Sequence, residues 1–486
     1  MSAYRSRSFL IALACVGLAA AYAATARIGV EAQAPRPGSA DSITERSLRA
    51  HLEFLASDAM NGRASNSRDE WIAATYIASQ FQLWNLEPMG DNGGYVQAAE
   101  ILREQMSSPA VLSAGTSQFT HGKEMLVTAL TGAKVTGPLV RLAAGATSVP
   151  PGSVVLMPEA PAGQPAAAGR GRGGAAQSTV GAALVISLAT QTPEQWTTAA
   201  ARPVSAGSRF AKVPPPAGGL VRTARVALSR DAYNAVAALA EGTAVSLQAE
   251  LGATKAHTWN AVGRLTGSDP AAREQFVVLG AHLDHIGMRE NTPGPDKIFN
   301  GADDDASGTV AVMALAQALA AGPRPKRTLV FALFGSEEGG GAVSGSSYFV
   351  ELPVVPIDKM VAQLQFEMLA RPDPMVPARS LWLTGYERSN LGSELAKQGA
   401  RLVQDPRPDQ SFFTRSDNIK FARKGVISHT VSSFNLHTDY HQAGDEVSKV
   451  DFVHMLDAVR SMLEPVRWLA NSTFTPVWAP EGRPRS

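Results

Sequence analysis

The sequence predicts an α/β fold: a mostly parallel central sheet flanked by helices, with a small β-rich inserted domain. Three observations predict it. FVVLGA, TLVFALFG and KMVAQLQFEM are continuous apolar runs, as expected of strands buried on both faces. GTVAVMALAQALAAG lies between the first two and reads as a helix ended by Gly322 and Pro323. Strand, helix, strand is the unit of a parallel sheet. From about Lys134 to Thr254 the texture changes: short apolar runs (GPLVRLA, GSVVLMPEA, GAALVISLA) alternate with Gly/Pro turns, the pattern of a small β module.

The elements follow in order. Residues 1–34 read as a signal peptide and linker: Arg5 and Arg7 precede the apolar FLIALACVGLAAAYA, and small-x-small sites follow. Cleavage would remove Cys15, the single cysteine, and leave a mature chain with no disulfide or thiol chemistry. A lipid anchor on Cys15 fits poorly, because Ala12 stands where Leu is usual. The N-terminal part of the main domain, 41–133, opens with a capping-box pattern at Ser42 and Glu45, and Leu48, Leu52 and Leu55 then share one face. Ala74, Ile77, Phe81 and Trp84 mark a second amphipathic helix. The insert spans 134–254, and its PAGQPAAAGRGRGGAAQ segment, with Arg170 and Arg172, is low-complexity loop. The remainder of the main domain spans 255–472, and 473–486 is a tail.

A chain of 486 residues exceeds one compact core, so more than one domain is expected. The formal net charge of +1 argues against a nucleic-acid partner. Nothing after the N-terminus approaches a membrane-spanning apolar run.

The chemistry lies in clusters of acids and histidines: His282 and Asp284 in GAHLDHIG, Asp303, Asp304 and Asp305 in NGADDDASG, Glu337 and Glu338 in GSEEGG, Glu367 in QFEMLAR, and His441 in DYHQAGDE. Oxygen and imidazole groups without cysteine are the donor mix of a hydrolytic zinc site, with enough ligands for two ions. Three clusters follow predicted strands, and ligand sites of open α/β sheets lie at the carboxyl ends of strands. His282 and Asp284, two apart on an extended segment, would face the same way, so the carboxylate could orient the imidazole. A single Asp in the 303–305 run can bridge two cations, its neighbours capping the helix. Of Glu337 and Glu338, one can bind metal while the other stays free as a base.

These motifs, VVLGAHLDHIG, NGADDDASGT, the Glu pair, RSDNIKFARKG and the DYH-to-Asp445 segment, occur in an order that resembles the secreted co-catalytic zinc aminopeptidases, the M28-type metallopeptidases. The resemblance runs from LEFLASDAMNGR through DYHQAGDE, and the 134–254 module looks like that family's protease-associated insert. It implies a zinc exopeptidase-like fold and two zinc ions per chain. Asp304 would bridge them, Glu338 and His441 would complete one shell, and His282 and Glu367 the other. Asp284 would support His282, and Glu337 would be the general base. The implied activity is hydrolysis of N-terminal residues from peptides or small amides. The family usually has Asp where this chain has Glu367, and GGGAVSGSSYF is longer and richer in Gly than usual.

Other readings of the same motifs are a carboxypeptidase or dipeptidase of this fold, a glutaminyl cyclase-like transferase, and a non-catalytic receptor-like protein. The cyclase needs one zinc, and receptors lose ligands. His437 competes with His441, which is preferred because Tyr440 to Asp445 matches the family pattern. His285 and His437 lie beside proposed ligands and read as substrate-side or supporting groups. His51, His121, His257 and His454 read as ordinary packing or surface residues. Loops near Phe412, Phe413 and 433–436 would line the substrate pocket.

Overall fold

The computed structural model describes residues 38–143, 148–159, 179–214 and 223–485. The signal-peptide reading, Cys15 and the Arg170/Arg172 loop lie outside these residues.

The fold is mixed α/β. Its main sheet has ten strands. Four central strands are parallel and adjacent, in the order Ser428–Ser432, Met360–Phe366, Phe276–His282, Thr328–Phe334. Each carries an unbroken buried run, because helices cover both faces and no alternation is required. Antiparallel strands extend both flanks: Leu251–Leu265, Val96–Met106 and Ser205–Phe210 on one side, Leu381–Leu383 on the other.

The Gly308–Ala320 helix is buried almost throughout, sandwiched between the sheet and the helices Glu45–Leu55 and Phe452–Asn471. Leu48, Leu52 and Leu55 face this core at 0% exposure, and each such side chain contributes about 1.5–3 kcal/mol by leaving water. The first helix is capped differently from expectation. Thr44, not Ser42, accepts the Ser47 N–H at 3.2 Å, and Ser42 ends a separate turn, bonding to the Ser39 carbonyl. Ser-x-x-Glu spacing did not distinguish two hydroxyls two residues apart. On the opposite face, Phe334, Phe349 and Phe421 pack edge-on and tilted around one point.

A second sheet of eight strands has its own core around Leu112, Leu139, Ile186 and Val226. It begins at Val111, upstream of the expected Lys134. The chain also leaves it midway: Ser205–Phe210 returns to the edge of the main sheet.

Candidate metal centre

The parallel strands bring the clusters together through register. His282 pairs with Phe334, so the Glu337–Glu338 turn begins three residues past His282's partner. Glu367 directly follows the next strand. All three groups therefore emerge at one rim, where strand carboxyl ends meet.

Each ligand loop has identifiable supports. After Phe334 the chain turns sharply at Ser336 (φ 54°) into a short helical turn starting at Glu337. A Cβ at Gly335 would collide with the Glu70 carboxylate, which accepts from Thr258, Trp259 and Ser336 beneath the turn. The Asp284 carboxylate accepts the N–H groups of Glu337 (3.0 Å) and Glu338 (3.3 Å) and the Ser65 hydroxyl. His282 Nδ1 meets the backbone carbonyl of Asp284 at 3.2 Å, whereas the carboxylate is 3.8 Å away. The expected orientation of the imidazole by this carboxylate is thus performed by the main chain. The Nδ1–H donates to that carbonyl, which leaves the Nε2 lone pair for the centre.

The aspartate triplet divides its work. Asp303 accepts the Ala370 N–H at 2.8 Å and pairs with His437 Nε2 at 3.0 Å. Asp305 accepts the N–H groups of His282, Gly308 and Met368. Asp304, joined to Asp305 by a cis peptide, points inward. Its Oδ1 is 3.2 Å from His282 Nε2, and its Oδ2 is 3.2 Å from His441 Nε2. His441 Nε2 also lies 3.1 Å from Glu338 Oε1. Ligand atoms of His282, Asp304 and Glu338 fall within 4.8 Å of one another. Glu367 lies in the same field of charge, lines a cavity beside it and is bonded by Ser416 Oγ. His437 is engaged by Asp303.

Electrostatics match a cation site. Burial alone would raise Asp304, but His282 and His441 hold its carboxyl well below the usual range. Burial drives Glu337 well above it, opposed by His282 and reinforced by Asp417 and Glu367. Burial likewise carries Glu367 to about 7 and Asp284 to about 6. Buried Asp304 Oδ2 and Glu338 Oε1 have no hydrogen-bond partner. Native proteins rarely leave such atoms unsatisfied, and oxygen and imidazole donors here suit zinc. The residues present fit such an ion.

One support escaped sequence reasoning. Arg63, 1% exposed, donates to the carbonyls of Leu283 (3.0 Å), Asn300 (2.6 Å), Gly301 (3.1 Å) and Leu55. It ties the loop after His282 to the loop before Asp304. No periodicity announces a lone buried arginine. His285, read from the sequence as a substrate-side or supporting group, is fully buried with Nδ1 3.0 Å from Glu338 Oε1.

Beside Glu367 lies a small cavity of about 30 Å³ walled by Met368, Trp382, Phe412, Phe434 and Tyr440, with Arg415 among its lining residues. Phe412 lines this cavity, and Phe434 supplies the wall from the 433–436 loop. Phe413 packs instead against His429 and Trp478. Of the remaining histidines, His51 bonds Tyr76, His454 bonds Ser433 and His121 bonds the Val127 N–H.

The fold and centre define a class. Residues 260–464 match the model of Peptidase family M28. It is 33% identical over 118 residues to leupeptin-inactivating enzyme 1 of Streptomyces exfoliatus, covering 24% of each chain. It is 32% identical over 171 residues to the probable lipoprotein aminopeptidase LpqL of Mycobacterium tuberculosis, covering 31% of this chain and 30% of that protein. The matched stretches thus span less than a third of these relatives. The fold is similar to that of the aminopeptidase from Aneurinibacillus sp. strain AM-1, with TM-score 0.50, 19% identity, and 92% and 99% of the two chains covered.

Proposed function

We propose that this chain is a secreted dinuclear zinc exopeptidase that removes N-terminal residues from peptides. The observation that carries the reading is the convergence of His282, Asp304 and Glu338 within 4.8 Å, with His441 Nε2 3.1–3.2 Å from two of them. Asp304 presents one oxygen to each histidine, the geometry of a bridge. On this reading Glu338 and His441 complete one site, and His282 and Glu367 the other. The eight-stranded sheet is the protease-associated insert. Among the described residues no helix is long and apolar enough to cross a membrane.

Bound there, zinc supplies a Lewis acid and lowers the pKa of water toward neutrality. Glu337 takes the proton of the attacking water and returns it to the leaving amine. Asp284 fixes the turn that carries Glu337. The small aromatic-lined cavity beside Glu367, about 30 Å³, would admit no more than a small side chain of the residue being released.

The test is metal content together with a substrate panel. Two zinc ions per chain, and hydrolysis of amino-acid anilides that stops when the α-amine is blocked, are the expected results. A folded protein without metal, or equal turnover of blocked substrates, would overturn the reading.

A further inference from the structure

The mechanism above leaves one buried imidazole unused. His285 is 0% exposed and adjoins the centre. Its Nδ1 is 3.0 Å from Glu338 Oε1 and 3.9 Å from Asp304 Oδ2. These three atoms are all buried, and none has a hydrogen-bond partner. The short His285–Glu338 approach therefore lacks the N–H direction that a hydrogen bond requires. By contrast, His437 and Asp303, also 3.0 Å apart, form a proper hydrogen bond. Atoms that approach closely without bonding each other are aimed at a common point.

That point has the dimensions of a metal site. Donors about 2.0–2.1 Å from a tetrahedral zinc lie about 3.3 Å from each other. His441 Nε2 is 3.2 Å from Asp304 Oδ2 and 3.1 Å from Glu338 Oε1. His285 Nδ1 lies 3.0 and 3.9 Å from the same two oxygens. The ring is also cradled: Gly301 (φ 57°) lies against it, and a Cβ there would strike the imidazole. The backbone is held too, with the His285 N–H donating to the Arg63 carbonyl at 3.0 Å.

We propose that His285 Nδ1 is a fourth protein ligand of the ion bound by Asp304, Glu338 and His441. This rests on the two-zinc reading above. The two ions then differ in kind. Four protein donors close one site, as in structural zinc sites, and the open position falls to the His282–Glu367 side. That side adjoins the aromatic cavity.

X-ray absorption at the zinc edge on the full-length, zinc-loaded protein tests this. Three imidazoles shared by two ions are expected in the wild type, falling to two in His285→Gln. Zinc affinity of the variant, by chelator competition, should fall by roughly 10- to 100-fold. Cobalt substitution gives an independent readout: the absorption spectrum should change in the variant even where cobalt stays bound. Two zinc ions with one imidazole each in the wild type would overturn the inference and leave the two-zinc reading standing. Absence of bound zinc would sink both. If His285→Gln fails to fold, the imidazole count of the wild type alone decides.

Discussion

The carboxylate of Asp284 accepts the backbone N–H of Glu337 at 3.0 Å. A residue just past one central strand thus fixes the Glu337 turn that follows the neighbouring strand. Asp284→Asn replaces one of the two acceptor oxygens with a donor that would face an N–H. Turnover should fall by roughly 10- to 100-fold, the usual cost of losing a supporting group around a metal site. Zinc content should hold at the wild-type level. An unchanged rate constant in steady-state kinetics would remove Asp284 from the machinery.

Glu337→Gln keeps shape and removes basicity. General acid–base catalysis contributes about 10²- to 10⁴-fold, so kcat should drop by that order with KM nearly unchanged. Measuring metal content in parallel separates loss of the base from loss of the site.

His441→Ala and His437→Ala should diverge. His441 approaches Asp304 and Glu338, whereas His437 hydrogen-bonds Asp303 behind them. Chelator competition should show the larger loss of zinc affinity for His441→Ala. The reverse order would reassign the ligand.

Arg63→Met would remove the donor from four buried carbonyls, of which Gly301 O keeps the Ala306 N–H. Unsatisfied buried groups cost about 1–3 kcal/mol each before relaxation, so a total loss of roughly 3–5 kcal/mol is expected, comparable to breaking a buried charged network. Denaturant unfolding of the metal-free protein measures it. A change under about 1 kcal/mol would mean the loops hold without the arginine.

His429 offers a pH test away from the centre. It is fully buried, with Nδ1 donating to the Thr384 carbonyl at 2.8 Å and Nε2 2.7 Å from the Ser389 hydroxyl. Burial, only partly offset by the Thr384 carbonyl, lowers its pKa to about 4. The unfolded chain binds this proton near pH 6.5 and the folded one near 4. Stability is therefore fully present above about pH 6.5 and declines as pH falls toward 4, by up to about 3 kcal/mol. Thermal unfolding across that window should show a shallower pH dependence in His429→Gln; equal slopes would refute the assignment.

The parallel strands and the helix between them were legible because fully buried elements leave unbroken apolar runs. The rim positions of His282, Glu337, Glu338 and Glu367 followed from those runs. What stayed hidden depended on contacts remote in sequence. The Arg63 interactions join residues more than two hundred positions apart. The main-chain contact of Asp284 with His282 has no side-chain signature. The second sheet's early start was missed because Val111–Ala114 is four residues long and resembles the surrounding loops.

The excursion of Ser205–Phe210 out of the second sheet has an engineering consequence. A cassette cut from 111 to 248 would look clean on a domain diagram. It would also strip the outermost strand from the main sheet and bare one side of Val96–Met106. An unpaired edge of that length recruits strands from other chains. The two units share a seam, so a shortened enzyme should be built by grafting Ser205–Phe210 onto the edge rather than by simple excision.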